Sequence, residues 1–382
     1  MSRFPEVIHE KVITDFKTFY ELEQEWNALL ANISHYTPTM TFYWQKAWLE
    51  VNKDKILKIH IFVFRDQNHK LIGIVPLIHL KAPFLLRNLN LYTFSGARDQ
   101  IKISLICQRE HQISVLLEVL SHFYEKHHDW DILALRRISS NRADEIFLER
   151  ILRKHHRPFS VESHLRIPYI LLEGDYASYF QSRKKHFRHE IKRKIKKLSQ
   201  LGEIQYEMKA APVPGEQFAQ FVELENKGWK GKNGSSLKHR QNLLLLFQKL
   251  SKTNQPTLSL IQFNLRLNEE LISSSLCFKT RDGLHVFKIA YDEAFKKYSP
   301  GLLLRLFEIE QAFGLGLKIY DFSGKEQRWM HDFTRRTHHV MDYIIYRKTF
   351  ASLIRYLGFT RFRPLIKHSH LTEKFLKSLI EE

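Results

Sequence analysis

The residues with the most chemistry to offer sit where an apolar strand gives way to an apolar-faced helix. Val286 to Tyr291 reads as a strand, Asp292 to Tyr298 as a polar loop, and Ser299-Pro300-Gly301 as the start of a helix running on through Leu302-Leu303-Leu304. Ser299 is a residue type that caps helices, and Pro300 at the first helical position gives up only a donor that would be spare. The N–H groups of Gly301 and the following leucines then face the loop with the helix dipole behind them, a geometry that accepts a phosphate. An ordinary capped helix has the same letters. A second strand, Leu317 to Phe322, ends in Ser323-Gly324-Lys325-Glu326, and ligands of open sheets sit beyond strand C-terminal ends. Asp321 and Glu326 can orient an amine there or take its proton; Asp321 can equally cap a turn.

Two further segments bear on the site. A helix over Phe221 to Lys227 ends in Gly228-Trp229-Lys230-Gly231-Lys232-Asn233-Gly234, where glycine lets a ligand approach closely. Arg183 to Lys197 holds nine Lys or Arg and one acid. Phe180, Phe187, Ile191, Ile195, Leu198 and Leu201 recur within and around it at helical intervals, which predicts an amphipathic helix with one apolar stripe, closed near Gly202. Its cationic faces are either a solvated surface or a contact for a polyanion, and the second predicts binding that salt weakens.

The elements that must position these residues alternate between helix and strand. Asp15 to Ile33 has a helical spacing of apolar residues, and an aromatic helix with Phe42, Trp44, Trp48 and Leu49 follows Thr37-Pro38. The period then changes to two: Ile59, Ile61 and Val63, a polar turn, and Leu71 to Val75 predict a β-hairpin. Strands at Ile101 to Cys107 and Ile132 to Leu135 bracket a helix from Ser114 to Lys126. Ile261, Phe263 and Leu271-Ile272 stand 200 residues after Ile61, Val63 and Leu71-Ile72, so a duplicated α/β unit is the simplest account. A boundary is expected between His164 and Gly174, with a connector at Ala211-Pro212-Val213-Pro214-Gly215, whose prolines bar a helix interior.

Composition narrows the class. The chain has 382 residues, 43% of them hydrophobic, with 60 Lys and Arg against 41 Asp and Glu, a formal charge of +19. That supports folded domains and excludes disorder, and the charge predicts attraction to nucleic acid, anionic lipid or a phosphate-bearing ligand. Cys107 and Cys277 allow no disulfide framework and no cysteine zinc site. His186 and His189 share a helix face and His338-His339 are adjacent, but no third ligand stands near, and no metal is expected. The N-terminus does not read as a signal peptide. The greasiest run, Leu71 to Leu86, is interrupted by charge and proline, against a membrane span. A cytoplasmic protein is expected.

Arg188 through Gly202, Glu225 through Gly231, Ala290-Tyr291-Asp292, Tyr298 through Gly301, and Asp321-Phe322 with Gly324 and Glu326 together resemble the CelD/BcsL-like branch of the GNAT acyltransferase superfamily. The matching motifs span 165 to 345. The resemblance implies a mixed α/β (α+β) fold of two tandem GNAT-like domains, each a mostly antiparallel mixed sheet flanked by helices. They would occupy 1–163, a degenerate copy, and 164–345, the acyltransferase domain; 346–382 would be a basic helical tail. It also implies transfer of an acyl group from acetyl-CoA or another acyl-CoA to an amine or hydroxyl on a small molecule or glycan precursor. The cofactor-binding residues would be Lys288, Ile289, Ala290, Ser299, Gly301, Leu302 and Leu303. Asp292, Asp321 and Glu326 are the candidates for the base, Tyr291 and Tyr298 for the donor that protonates the departing thiolate, and Trp229, Lys230 and Phe322 for substrate contacts. An acceptor cleft would draw on Trp44, Trp48, Trp229 and Trp329. The chain departs from the family at Arg328-Trp329-Met330, where a Tyr-Lys pair is usual, and at Ser299-Pro300-Gly301, where simpler GNAT enzymes have an Arg/Gln and Gly-x-Gly loop.

Two other readings stand beside this one. A related double-GNAT family transfers amino acids from aminoacyl-tRNA to peptidoglycan precursors, and would make Arg183 to Lys197 a tRNA surface. A non-catalytic basic module held peripherally on an anionic membrane would use Arg347 to Lys377, with Leu353, Ile354, Leu357, Phe359 and Leu365, as its contact.

Overall fold

The computed structural model describes residues 9–84, 87–96, 105–140, 142–154 and 158–357. The first part of the expected Ile101–Cys107 strand and most of the expected C-terminal tail, 358–382, lie outside these residues. The chain forms two compact units that interleave in sequence: 1–34, 52–165 and 339–382 in the first, 35–51 and 166–338 in the second. The sequence reading divides the chain at 163/164 and 345/346. Among the described residues no helix is long and apolar enough to cross a membrane.

In the first unit the strands run His9–Ile13, Lys58–Arg65, Leu71–Phe84 and Arg87–Phe94 as an antiparallel series. Arg87–Phe94 then pairs in parallel with Ile132–Ser140 through Leu91 to Thr93, and residues 339–346 of the Thr337–Tyr346 strand complete the sheet. Lys58 to Arg65 carries five apolar side chains in eight positions and is buried from Ile59 to Phe64, as a strand covered on both faces must be. The expected Asp15 to Ile33 helix is split into Phe16–Glu21 and Glu23–Ala31, with Asp15 accepting from the Thr18 N–H at the first start.

The second unit begins with α1 (Phe42–Asn52). After it come β1 (Phe159–Leu171, its end pairing here), α2 (Lys185–Ser199), β2 (Ile204–Ala210) and α3 (Gly215–Lys227). β3 (Leu258–Leu267), β4 (Glu270–Lys279), β5 (Gly283–Tyr291), α4 (Pro300–Gly314) and β6 (Ile319–Asp321) follow. Its sheet order is β2-β3-β4-β5-β6-β1, antiparallel except for the parallel β5–β6 pair. β3 and β4 form a hairpin closed by Asn268 and Glu269, both at positive φ (49° and 68°), the two-residue turn whose twist suits the strands. The core gathers Phe263, Leu265, Ile272, Leu304, Ile309 and Tyr320. α2 packs Phe187, Ile191 and Leu198 inward. Ile195 and Leu201, expected on the same stripe, are exposed: Ile195 lies off the strip that the helix buries, and Leu201 falls beyond the helix end at Ser199.

Candidate active site

The site is made by a strand that leaves its neighbour. β5 pairs with β6 only at Gly283, Leu284 and His285, yet stays paired with β4 as far as Tyr291. The register between β4 and β5 slips at Leu276/Cys277, where Lys288 and Val286 take consecutive partners and Phe287 is the extra residue. An extra residue bends a strand and increases its twist, and β6 itself ends at Asp321, so beyond His285 the edge of β5 has no pairing with β6. Trp44 of α1 packs on Phe287 and Phe278 (ring centroids 5.0 and 5.1 Å) and holds the bulge from behind.

A cleft of about 500 Å3 opens along the freed edge. Ile289, Ala290 and Tyr291 of β5 form one wall; Ser299, Pro300, Gly301, Leu302 and Arg305, at the start of α4, form the second. The third is Leu224 and Glu225 of α3 with Gly228, Trp229 and Lys230, and Lys296, Gln327 and Trp329 stand at the rim. Both tryptophans are open to solvent, 51% for Trp229 and 38% for Trp329.

Local constraints explain these placements. A Cβ at Gly301 would lie 3.3 Å from Ile289 Cδ1 and 3.7 Å from the Tyr291 ring, so α4 approaches β5 closely only because that residue has no side chain. A Cβ at Gly231 would sit 1.7 Å from the Asn226 carbonyl oxygen, which reserves that position for glycine and fixes the one-turn helix Trp229–Lys232 against the end of α3. Lys227–Asp292 (2.5 Å) and Lys232–Glu293 (2.6 Å) ion pairs tie that corner to the loop after β5.

The electrostatics centre on Glu225, which is 2% exposed. Its carboxylate accepts from Lys230 Nζ (2.8 Å) and from the Leu237 N–H (2.8 Å), with Lys288 Nζ at 4.0 Å. Lys230 also donates to the Ile289 carbonyl (2.7 Å) on the freed edge of β5. One ammonium therefore bridges the buried acid and the open strand.

The start of α4 differs from the expectation. Ser299 makes no side-chain cap and adopts a left-handed conformation, φ 55° and ψ 54°. Its Oγ instead accepts from Lys194 Nζ of α2 (2.8 Å). Turned this way, its carbonyl takes the N–H groups of both Leu302 (2.9 Å) and Leu303 (3.2 Å). Among the described residues that leaves the Gly301 N–H as the helix-start donor without a backbone acceptor.

Of the residues expected at the site, Trp229, Lys230, Ile289, Ala290, Tyr291, Ser299, Gly301 and Leu302 line the cleft. The others lie elsewhere. Leu303 is 1% exposed in the core beneath α4, and Phe322 is buried with Tyr320 and Phe333. Lys288 lies behind the wall near Glu225, and Tyr298 packs on the core edge beside Lys297. Asp292 caps the turn after β5 by accepting from the Ala294 N–H (2.9 Å). Burial pushes its carboxyl up, but the Lys227 ammonium and that N–H outweigh burial and hold it below the usual carboxylate range, which makes it a weak proton acceptor. Asp321 is buried, accepts from the Ser323 N–H (2.7 Å) and faces His338 (3.5 Å). Glu326 is paired with His331 (2.9 Å). Trp44 and Trp48, expected in an acceptor cleft, are core residues.

Sequence reasoning assigned no role to Glu225 or Arg305, although both sit on apolar helix faces. Glu225 follows Phe218, Phe221 and Val222 at helical spacing, and Arg305 and Glu308 fall between Leu304, Ile309 and Ala312. A charge on a core-facing stripe was the available signal.

Residues 185–331 match the acetyltransferase (GNAT) domain family. No curated protein matches the chain. Among solved structures, FemX shares 11% identity and a TM-score of 0.59 over 89% of this chain and 98% of its own. A tandem GNAT protein from the clavulanic acid biosynthesis pathway shares 10% identity and a TM-score of 0.50 over 89% of this chain and all of its own. The C-terminal domain of a putative lysylphosphatidylglycerol synthetase from Agrobacterium fabrum gives 8% identity and a TM-score of 0.50 over 88% and 95%. At these identities the likeness is one of fold. The domain match over 185–331, carried on a mixed α/β fold with a mostly antiparallel sheet, identifies a transferase with a GNAT-type domain.

Proposed function

We propose that the 166–338 unit transfers an acyl group from acyl-CoA, acetyl-CoA foremost, to an amine or hydroxyl acceptor. The reaction would take place in the cytoplasm, in the manner of the CelD/BcsL-like GNAT branch. One observation carries the reading: β5 separates from β6 after His285 while held to β4 through Tyr291, and the separation opens onto the first turn of α4. An extended acyl-bearing arm needs such an unpaired strand edge for its amides, and a diphosphate needs the cations and the free N–H at the helix start.

In this reading Gly301, Lys296 and Lys194 hold the phosphates, and the edge at Ile289 and Tyr291 aligns the arm. The acceptor enters between Trp229 and Trp329. Its nucleophile attacks the thioester carbon, the carbon–sulfur bond breaks, and the sulfur leaves as thiolate. Tyr291 lines the cleft, and its hydroxyl supplies the proton to the thiolate and regains one from solvent. The nucleophile's own proton passes to water, since Asp292, Asp321 and Glu326 stand outside the cleft and are each held by a partner. Positioning, rather than a dedicated base, provides most of the rate.

A second reading, aminoacyl transfer from aminoacyl-tRNA, draws on a different observation. The cationic helix α2 reaches the mouth of the cleft through Lys194, which contacts Ser299 Oγ and the Lys297 carbonyl, so a basic track leads to the site. Peripheral contact of the basic chain with an anionic membrane is compatible with either reading.

Calorimetric titration with acetyl-CoA and longer acyl-CoAs tests the first reading. The wild type is expected to bind at least one of them, and Gly301→Asp to bind it about 100-fold more weakly, about 2.7 kcal/mol, from a like charge placed against the phosphates. A wild type that ignores every acyl-CoA but binds tRNA with steep salt dependence would replace it with the second.

A further inference from the structure

The wall of the cleft carries a cation to which neither reading gives a chemical role. Asp292, just past β5, donates its N–H to the Ile272 carbonyl of β4 (2.9 Å). Backbone groups alternate along a strand, so Ile289, three residues earlier, directs its carbonyl away from β4 and onto the open edge. Lys230 Nζ donates to that carbonyl (2.7 Å) and to Glu225 Oε1 (2.8 Å). An ammonium has three N–H groups, and among the described residues Lys230 uses two of them. Its side chain is 19% exposed and lines the cleft. The third N–H is left for a ligand lying along the edge of β5.

The surrounding fold holds that ammonium still. Glu225 is fixed in turn, its Oε2 accepting from the Leu237 N–H (2.8 Å). The Lys230 carbonyl accepts from the N–H groups of Ser235 (2.8 Å) and Ser236 (3.1 Å), and Gly231, which has no room for a Cβ, closes the turn that carries it. A buried ion pair is a poor source of stability compared with apolar packing, whereas a donor fixed before the reaction stabilises developing charge without reorganising. We propose that Lys230 is a catalytic residue whose third N–H donates to the acyl oxygen of the donor substrate. As the nucleophile adds to the acyl carbon, the carbonyl π electrons move onto that oxygen beside the ammonium. They re-form the double bond when the carbon–sulfur bond breaks and the sulfur leaves with its electron pair, and Lys230 keeps its proton throughout. The inference rests on the acyltransfer reading and deepens it by naming the group that meets the acyl oxygen.

The test is infrared spectroscopy of acetyl-CoA, isotope-labelled at the carbonyl carbon and bound to the full chain, beside calorimetric titration of acetyl-CoA and of S-ethyl-CoA, which lacks the acyl oxygen. The bound carbonyl stretch is expected at lower frequency in the wild type than in Lys230→Met. That variant should bind acetyl-CoA about tenfold more weakly, the worth of one hydrogen bond from a charged donor, and S-ethyl-CoA as the wild type does. Lys288 Nζ, 4.0 Å from Glu225, keeps a cation near the acid in the variant. If it does not fold, Lys230→Met/Glu225→Gln, which removes the acid's charge as well, is read in its place. Lys296→Met, at the rim of the cleft, is expected to weaken both ligands alike and to leave the stretch unmoved. The same stretch in wild type and Lys230→Met, equal weakening of both ligands by that change, or a stretch that follows Lys296 would each overturn the role of Lys230 while the acyl-CoA reading stands. A wild type that binds neither ligand overturns acetyl-CoA as donor, and the role of Lys230 with it.

Discussion

Strand Arg87–Phe94 and strand β5 hold the same place in two sheets of the same order: fourth in an antiparallel series, with a parallel partner on the far side. They differ in where that parallel partner lets go. In the first unit the pairing runs through Leu91, Tyr92 and Thr93, one residue short of the strand's end, and Thr93 Oγ1 also donates to the Ala134 carbonyl (2.9 Å). In the second it stops at His285, six residues before the strand ends. The helices between each parallel pair differ in the same sense. Gln112–Ser121 turns Val115, Val119 and Leu120 inward, whereas α4 buries Arg305 and Glu308. A shared strand order therefore does not make a site. The early end of β6 leaves the edge open, and charge is kept on the buried faces of α3 and α4 around it.

Variants that remove those features from one unit should leave the other unchanged. The largest effect is expected from Glu308→Ala, which strands the Arg305 guanidinium in the second unit's core: stability should fall by about 3–5 kcal/mol in denaturant unfolding. Glu308→Gln, which still accepts hydrogen bonds, should cost less. If the alanine variant is as stable as the wild type, the buried pair is not the constraint argued here.

The first unit has its own buried titratable group. His60 packs among His127 (5.3 Å), His122 (5.6 Å), Tyr92 and Phe123. Burial, then the positive charges of His127, His122, His79 and Lys58, push its imidazole down to about 3. The unfolded chain takes up this proton near pH 6.5 and the folded chain only near 3, so the contribution is intact above pH 6.5 and is lost as pH falls toward 3. At pH 5 the loss is about 2 kcal/mol. His60→Leu should flatten that acid limb for the first unit, as read by amide hydrogen exchange; an unchanged pH dependence there would remove His60 as the cause.

The smallest effect belongs to Asp292. Its carboxyl is held low, so its contribution is present above the ordinary carboxylate range and disappears as pH falls through its own lower value. Lys227 is largely solvent-exposed, which limits the pair to about 1 kcal/mol or less. Asp292→Asn should therefore lower stability slightly at pH 7 and by less as the pH falls below the ordinary carboxylate range, with little change in acyl-CoA binding. A large loss of that binding would bring Asp292 back into the site.

Much of the architecture could be read from local spacing. Both hairpins 200 residues apart exist, Lys58–Arg65 with Leu71–Phe84 and β3 with β4, because alternation and turn residues act over a few neighbours. Their turns differ: five residues stapled by the Asp66 carboxylate in the first, two at positive φ in the second. Pro300 at the head of α4 was legible for the same reason. The completion of each sheet was not. β1 closes the second unit's sheet against β6, and Thr337–Tyr346 closes the first against Ile132–Ser140. No local period reveals a partner chosen from so far along the chain.

What the sequence by itself determined are the strands, the helices, the glycine at 301 and the cationic run of α2, each set by periods and residue types within one element. Only the tertiary structure decided that Asp321, Phe322 and Glu326 fall outside the cleft, that Lys230 bridges Glu225 to the freed edge of β5, and that Arg305 is left with an unused donor. Those outcomes depend on which faces meet across the sheet, and no spacing within one element fixes that.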